Sequence, residues 1–112
     1  MPASQPMQPR QPARDPNSLI QMLMRAFNEE VFAADFTISD QSREHVRQMV
    51  KKGVKELIKS TTQNHQVEQA EKDIRGFARR MIIVAKAAGR TELKETDYFS
   101  AFSFLCPLWP FC

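Results

Sequence analysis

The chain has 112 residues, is 42% hydrophobic and 26% charged, and carries a formal net charge of +3. That is the size of one domain, and no apolar run approaches the ~20 residues a membrane span needs. Its seven prolines fall at positions 2, 6, 9, 12, 16, 107 and 110, so residues 17–106 are free of proline and hold all three glycines. This excludes collagen-like, transmembrane, disulfide-rich and fully disordered chains, and it predicts an all-α domain of three to four helices with two irregular ends.

Residues 1–16 are rich in Pro and Gln without periodicity and read as a disordered arm; they lack the cationic-then-apolar order of a secretory signal. Residues 17–105 read as a helical domain. A first helix is expected to start at Asn17 or Ser18, with Leu19, Ile20, Leu23, Met24, Phe27 and Val31 recurring at three- and four-residue spacing on one face. Residues 34–38 break that period. Ser39 or Asp40 caps a second helix running to about Lys59, whose apolar stripe is Val46, Met49, Val50, Gly53, Val54, Leu57 and Ile58. Gly53 within that stripe would let another backbone approach closely.

The polar cluster at 60–64 interrupts the second helix, and Asn64 is the expected cap of a third. There Val67, Ala70, Ile74, Phe77, Met81, Val84 and Ala88 alternate by three and four, a seam that suits either a bundle core or a dimer contact. Gly89 supplies a left-handed stop. Thr96 is expected to cap a short last helix carrying Tyr98, Phe99, Ala101, Phe102 and Leu105. No strand of any length is predicted.

Charge is segregated. Residues 1–18 contribute +1, 19–42 contribute −3, 43–90 contribute +7 and 91–112 contribute −2. A basic middle between acidic flanks fits a nucleic-acid footprint, or a fold in which acidic ends compensate the centre. The sharpest pattern is Arg43, Arg47, Lys51, Lys55 and Lys59, a cation at every fourth position with Lys52 beside them. Such a row can neutralise phosphates, or it is a solvated face relieved by Glu44 and Glu56. No stacking aromatic interleaves it, which argues against single-strand readout.

No Gly-rich phosphate loop, nucleophile elbow or His/Glu metal motif is present, so no catalytic residue, metal or cofactor is assigned. His45 and His65 read as surface residues. Cys106 and Cys112 are too few for a structural zinc, and the absence of other cysteines fits a reducing, cytoplasmic setting. Residues 106–112 form an apolar tail in which Cys106, Trp109, Phe111 and Cys112 are either a buried plug or a docking element for a larger protein complex, with a membrane surface ranked below that.

The run Met81-Ile-Ile-Val-Ala-Lys-Ala-Ala-Gly-Arg90, followed by Thr91-Glu-Leu-Lys-Glu-Thr-Asp97, resembles the end of the central helix, second loop and last-helix start of archaeal-type histone-fold proteins. The resemblance covers about a quarter of the chain. It implies a histone-fold-like protein that forms homodimers or heterodimers and binds DNA, and a structural ion pair between Arg90 and Asp97. Where that family places Lys-Thr against phosphate, this chain has Thr91-Glu92, and its second helix is far longer than a histone first helix. A second likeness joins Ile74-Arg75-Gly-Phe-Ala-Arg-Arg80 and Gly89-Arg-Thr-Glu-Leu93 to the small helical domain that ends one of the subunits of light-independent protochlorophyllide reductase, implying a tetrapyrrole- or photosynthesis-related accessory role.

The expectation is therefore a non-enzymatic binding protein that contacts nucleic acid or an acidic partner through Arg43, Arg47, Lys51, Lys55, Lys59 and Arg90, associated with the nucleoid if that partner is DNA. The alternative is an adaptor that docks through its aromatic tail.

Overall fold

The computed structural model describes residues 15–59, 64–105 and 109–110. The expected N-terminal arm up to residue 14, and Cys106, Phe111 and Cys112 of the tail, lie outside them. The described chain is mostly helical: α1 (Pro16–Ala33), α2 (Asp40–Lys59), α3 (Asn64–Ala87) and α4 (Glu95–Phe102), with two short strands, β1 (Thr37–Ile38) and β2 (Glu92–Leu93). The strands pair in parallel, Thr37 opposite Glu92 and Ile38 opposite Leu93. This corrects the expectation of no strand: two residues are too few for a period-two pattern to emerge from the sequence.

Two caps also differ from expectation. The first helix begins earlier than Ser18 implies, because the Asp15 carboxylate accepts from both the Ser18 backbone N–H (3.2 Å) and its hydroxyl (3.1 Å), and Pro16 occupies a position where a missing N–H costs nothing. At α4 the flanking residue is Lys94 rather than Thr96, and Asp97 in the first turn accepts from the Lys94 N–H at 2.8 Å. The expected cap of α2 does form, with Ser39 Oγ accepting from the Ser42 N–H at 3.2 Å.

The core lies where α1 packs on α2 and α3, and α4 on α3 and α2. Leu23, Phe27, Leu57, Ile74, Met81 and Leu93 are its largest fully buried side chains, each contributing about 1.5–3 kcal/mol of burial. On α3 the expected seam turns inward against the same chain: Val67, Ala70, Ile74, Phe77 and Met81 are buried, joined by Ala78, Ile82 and Ala85. Val84 is only half-buried and Ala88 is exposed, so the buried face drifts off the heptad as a straight 3.6-residue helix requires.

The two halves, α1–β1–α2 and α3–β2–α4, use one device twice. Residues 33–39, Ala-Ala-Asp-Phe-Thr-Ile-Ser, align with 87–93, Ala-Ala-Gly-Arg-Thr-Glu-Leu, at an offset of 54. The Phe36 N–H donates to Val31 O at 3.1 Å and the Arg90 N–H to Ala85 O at 3.0 Å; Asp35 N–H reaches Phe32 O at 3.0 Å and Gly89 N–H reaches Lys86 O at 2.9 Å. Both stops use a left-handed residue, Asp35 at φ 60° and Gly89 at φ 72°. Each helix thus ends in the same reverse turn and feeds one strand of the parallel pair.

Candidate nucleic-acid interface

Helix α2 is divided lengthwise. Ser42, Val46, Met49, Val50, Gly53, Val54 and Leu57 are buried, while Arg43, Arg47, Lys51, Lys52, Lys55 and Lys59 project outward from the remaining face. Each step of the basic row advances about 6 Å and turns about 40°, so from Arg43 to Lys59 the row covers about 24 Å and winds about 160° round the exposed surface of the helix. Within the row, one ion pair is formed among the described residues: Lys59 Nζ to Glu56 at 3.7 Å.

Several carboxylates of the acidic flanks are committed elsewhere. Arg75 on α3 reaches Glu29 (2.8 Å) and Glu30 (3.0 Å) on α1 and Glu71 (3.1 Å) on its own helix, and Arg79 reaches Glu30 at 3.0 Å. The bond from Arg79 holds the Glu30 carboxyl below its usual range against the opposing effect of burial, with Arg75 adding to the lowering. The Arg75 guanidinium is held more firmly protonated by Glu29, then by Glu30 and Glu71. The C-terminal acidic segment turns inward too: Glu92 pairs with Lys94 at 3.5 Å, Glu95 with His45 at 2.6 Å, and Asp97 with Arg90. Ion pairs thus engage Arg75 and Arg79 on α3 and Arg90 in the loop before β2, and on α2 they engage His45 and Lys59 but, among the described residues, not Arg43, Arg47, Lys51 or Lys55.

Arg90 occupies that loop with both terminal guanidinium nitrogens, Nη1 and Nη2, directed inward. Nη1 donates to Asp97 Oδ2 at 2.6 Å and to Glu92 O at 3.0 Å, and Nη2 donates to Asp97 Oδ1 at 2.9 Å. The Asp97 side chain is fully buried. Burial pushes its carboxyl up, but the Arg90 fork and the Lys94 N–H outweigh this and leave it below the ordinary carboxylate range. The ion pair expected between Arg90 and Asp97 is present, and with Glu92 O it engages three of the five guanidinium N–H donors. Arg90 is accordingly set apart from the α2 row.

His45 is not a lone surface residue as expected. Besides Glu95, it stacks on Tyr98 (centroids 5.1 Å apart, planes at 19°) and meets Phe99 edge-on at 5.1 Å. Its carboxylate partner is fifty positions away, beyond any local motif. The α1–α3 cluster is closer to legible: Glu71 and Arg75 stand at i, i+4, and Glu29–Glu30 and Arg79 flank the buried stripes of two helices. Gly53 admits a ring rather than a backbone, because a Cβ there would fall inside the Trp109 indole.

No described helix is long and apolar enough to cross a membrane, and among the described residues no cluster of three His, Cys, Asp or Glu could hold a metal ion. No protein-family model, curated protein or solved structure matches the chain.

Proposed function

We propose that the protein is a non-enzymatic, histone-fold-like nucleic-acid-binding protein whose contact surface is the outer face of α2. The observation that carries this reading is the grouping of charge: Glu29, Glu30, Glu92, Glu95 and Asp97 meet Arg75, Arg79, Lys94, His45 and Arg90, while Arg43, Arg47, Lys51 and Lys55 follow one another along the exposed surface of α2 with no ion pair among the described residues. A row of cations on a rigid helix suits a phosphate backbone, with sequence-independent contacts that position rather than specify. The histone-like part of the reading draws support from the Arg90–Asp97 pair and from the short parallel ladder joining the two interhelical loops. The α3 residues of the expected dimer seam are largely buried in the chain's own core.

The test is fluorescence anisotropy of a labelled DNA duplex over a salt series. Five phosphates neutralised by Arg43, Arg47, Lys51, Lys55 and Lys59 give a slope of log K against log salt near about −4.5, a loss of several hundred-fold between roughly 50 and 200 mM. The double variant Lys51→Glu/Lys55→Glu should lower the slope by at least about two and weaken binding strongly at low salt. A slope near zero, or equal affinity in the double variant, rejects the proposal; affinity for an acidic polypeptide but not for duplex would assign the same face to a protein partner instead.

A further inference from the structure

The other flank of α2 faces a groove that the nucleic-acid reading leaves unexplained. A cavity of about 640 Å³ opens between α2 and α4, with Ser103, Leu105 and Trp109 completing its lining among the described residues. Its apolar walls are Met49 on one side and Tyr98, Phe102, Leu105 and Trp109 on the other. The indole lies directly on α2 because Gly53 has no Cβ; any larger residue would collide with the six-membered ring. Phe102 stacks on Tyr98 at 5.6 Å with planes 25° apart, continuing the stack from His45. Yet Phe102 remains 47% exposed, so a large part of its burial free energy is unrealised in the free protein.

The polar rim is asymmetric. Lys52, Gln48 and Glu56 line the groove from α2, all three exposed; Glu56 is paired with Lys59 at 3.7 Å, and no ion pair engages Lys52 among the described residues. A concave, mostly aromatic site of this volume, with a cation at its mouth, matches the dimensions and lining of small-molecule pockets rather than of a flat macromolecular contact. We infer that this groove binds a small amphipathic carboxylate, its apolar body held between Met49 and the Phe102 and Trp109 rings and its carboxylate set against the Lys52 ammonium. The apolar body supplies affinity by covering the half-exposed rings; the charge orients it and disfavours neutral analogues.

Trp109 is the only tryptophan in the chain, so its emission reports occupancy directly. The full-length protein, free of nucleic acid, is titrated with dodecanoate in one arm and 2-naphthoate in the other, which separates an alkyl from an aromatic ligand. A saturable change in Trp109 emission with a dissociation constant below about 100 μM in either arm is expected. Lys52→Glu and Phe102→Ala should each raise that constant by about tenfold or more, and the corresponding alcohols should bind more weakly by a similar factor. Both positions are solvent-exposed, and far-UV circular dichroism verifies that the variants keep their helicity. Absence of saturation with both ligands, or equal affinities in wild type and both variants, overturns the assignment.

Discussion

The two halves of the chain share a backbone and differ in what the turn residues do with it. In the first, the left-handed position is Asp35 and the next residue, Phe36, is buried; in the second, Gly89 takes that position and Arg90 follows, its guanidinium locked onto Asp97. The hydrogen bonds that stop α1 and α3 are the same within 0.1 Å at the i to i−5 step, 3.1 Å for Phe36 and 3.0 Å for Arg90. One turn is therefore anchored by apolar burial and the other by an ion pair. The comparison teaches that the turn geometry is independent of its anchor, whereas sensitivity of the anchor itself to pH should belong to the second half.

The largest effect is expected at Asp97. Asp97→Asn leaves the Arg90 guanidinium facing a neutral group and weakens the acceptor for the Lys94 N–H. Breaking a fully buried pair costs about 3–5 kcal/mol, and water reaching the partly exposed Arg90 reduces this to about 2–3 kcal/mol, readable as a lower urea midpoint at constant slope. The same carboxylate makes a pH prediction. Its folded pKa lies below the unfolded value, so its contribution is complete above about pH 4 to 5 and is lost as pH falls through the folded pKa. Glu30, also lowered, adds in the same direction. Stability should then be level from about pH 7 to 5 and fall below about 4; an acid branch as steep in Asp97→Asn as in wild type would remove Asp97 as a contributor.

Next in size is a mirrored pair of substitutions at the turns. A methyl group added at Gly89 would find open space, but φ there is 72°, so Gly89→Ala meets no clash and costs about 1 kcal/mol from backbone strain alone. Asp35 already bears that strain at φ 60°, and Asp35→Gly should raise stability by up to about 1 kcal/mol, offset in part by the freer unfolded chain. Opposite signs in thermal melts would verify that the two turns are equivalent. Equal signs would show that Asp35 is held by something other than the turn geometry.

What is legible in the sequence follows from local signals, and what is not depends on distance along the chain. Three- and four-residue spacing places Leu23, Phe27, Val46, Leu57, Ile74 and Met81 in the core, and Gly89 marks a helix end, because these depend on near neighbours alone. The resemblance at 81–97 points to the Arg90–Asp97 pair. The ladder of Thr37–Ile38 with Glu92–Leu93 joins segments more than fifty residues apart and has no period to detect. Likewise the +7 of residues 43–90 is visible, but which of those cations meet a carboxylate is not. Net charge treats Arg75 and Lys55 alike, and only the packing of α1 on α3 separates them. Asp15 escapes notice as a cap because Asn17 and Ser18 offer equally good capping side chains, and Pro16 can as well precede a helix as open one.

The smallest predicted effect tests that separation of cations most directly. Arg47→Gln/Lys51→Gln/Lys55→Gln removes three exposed charges with little change in helix propensity, and it relieves all four like-charge steps between Arg43 and Lys59. Each such step at i, i+4 disfavours the helix by about 0.2–0.5 kcal/mol, while one favourable step, Glu44 to Arg47, is lost. The triple variant should therefore gain up to about 1 kcal/mol at low salt, and the gain should fade at about 0.5 M salt as screening shortens the interaction range. Arg75→Gln should move the other way, since it leaves Glu29, Glu30 and Glu71 crowded without their shared cation. A row that lowers stability when present, beside an arginine that raises it, is the signature of charges held for a ligand and not for the fold; a stability loss in the triple variant comparable to that of Arg75→Gln would place the α2 cations among the structural charges and remove the basis for the interface.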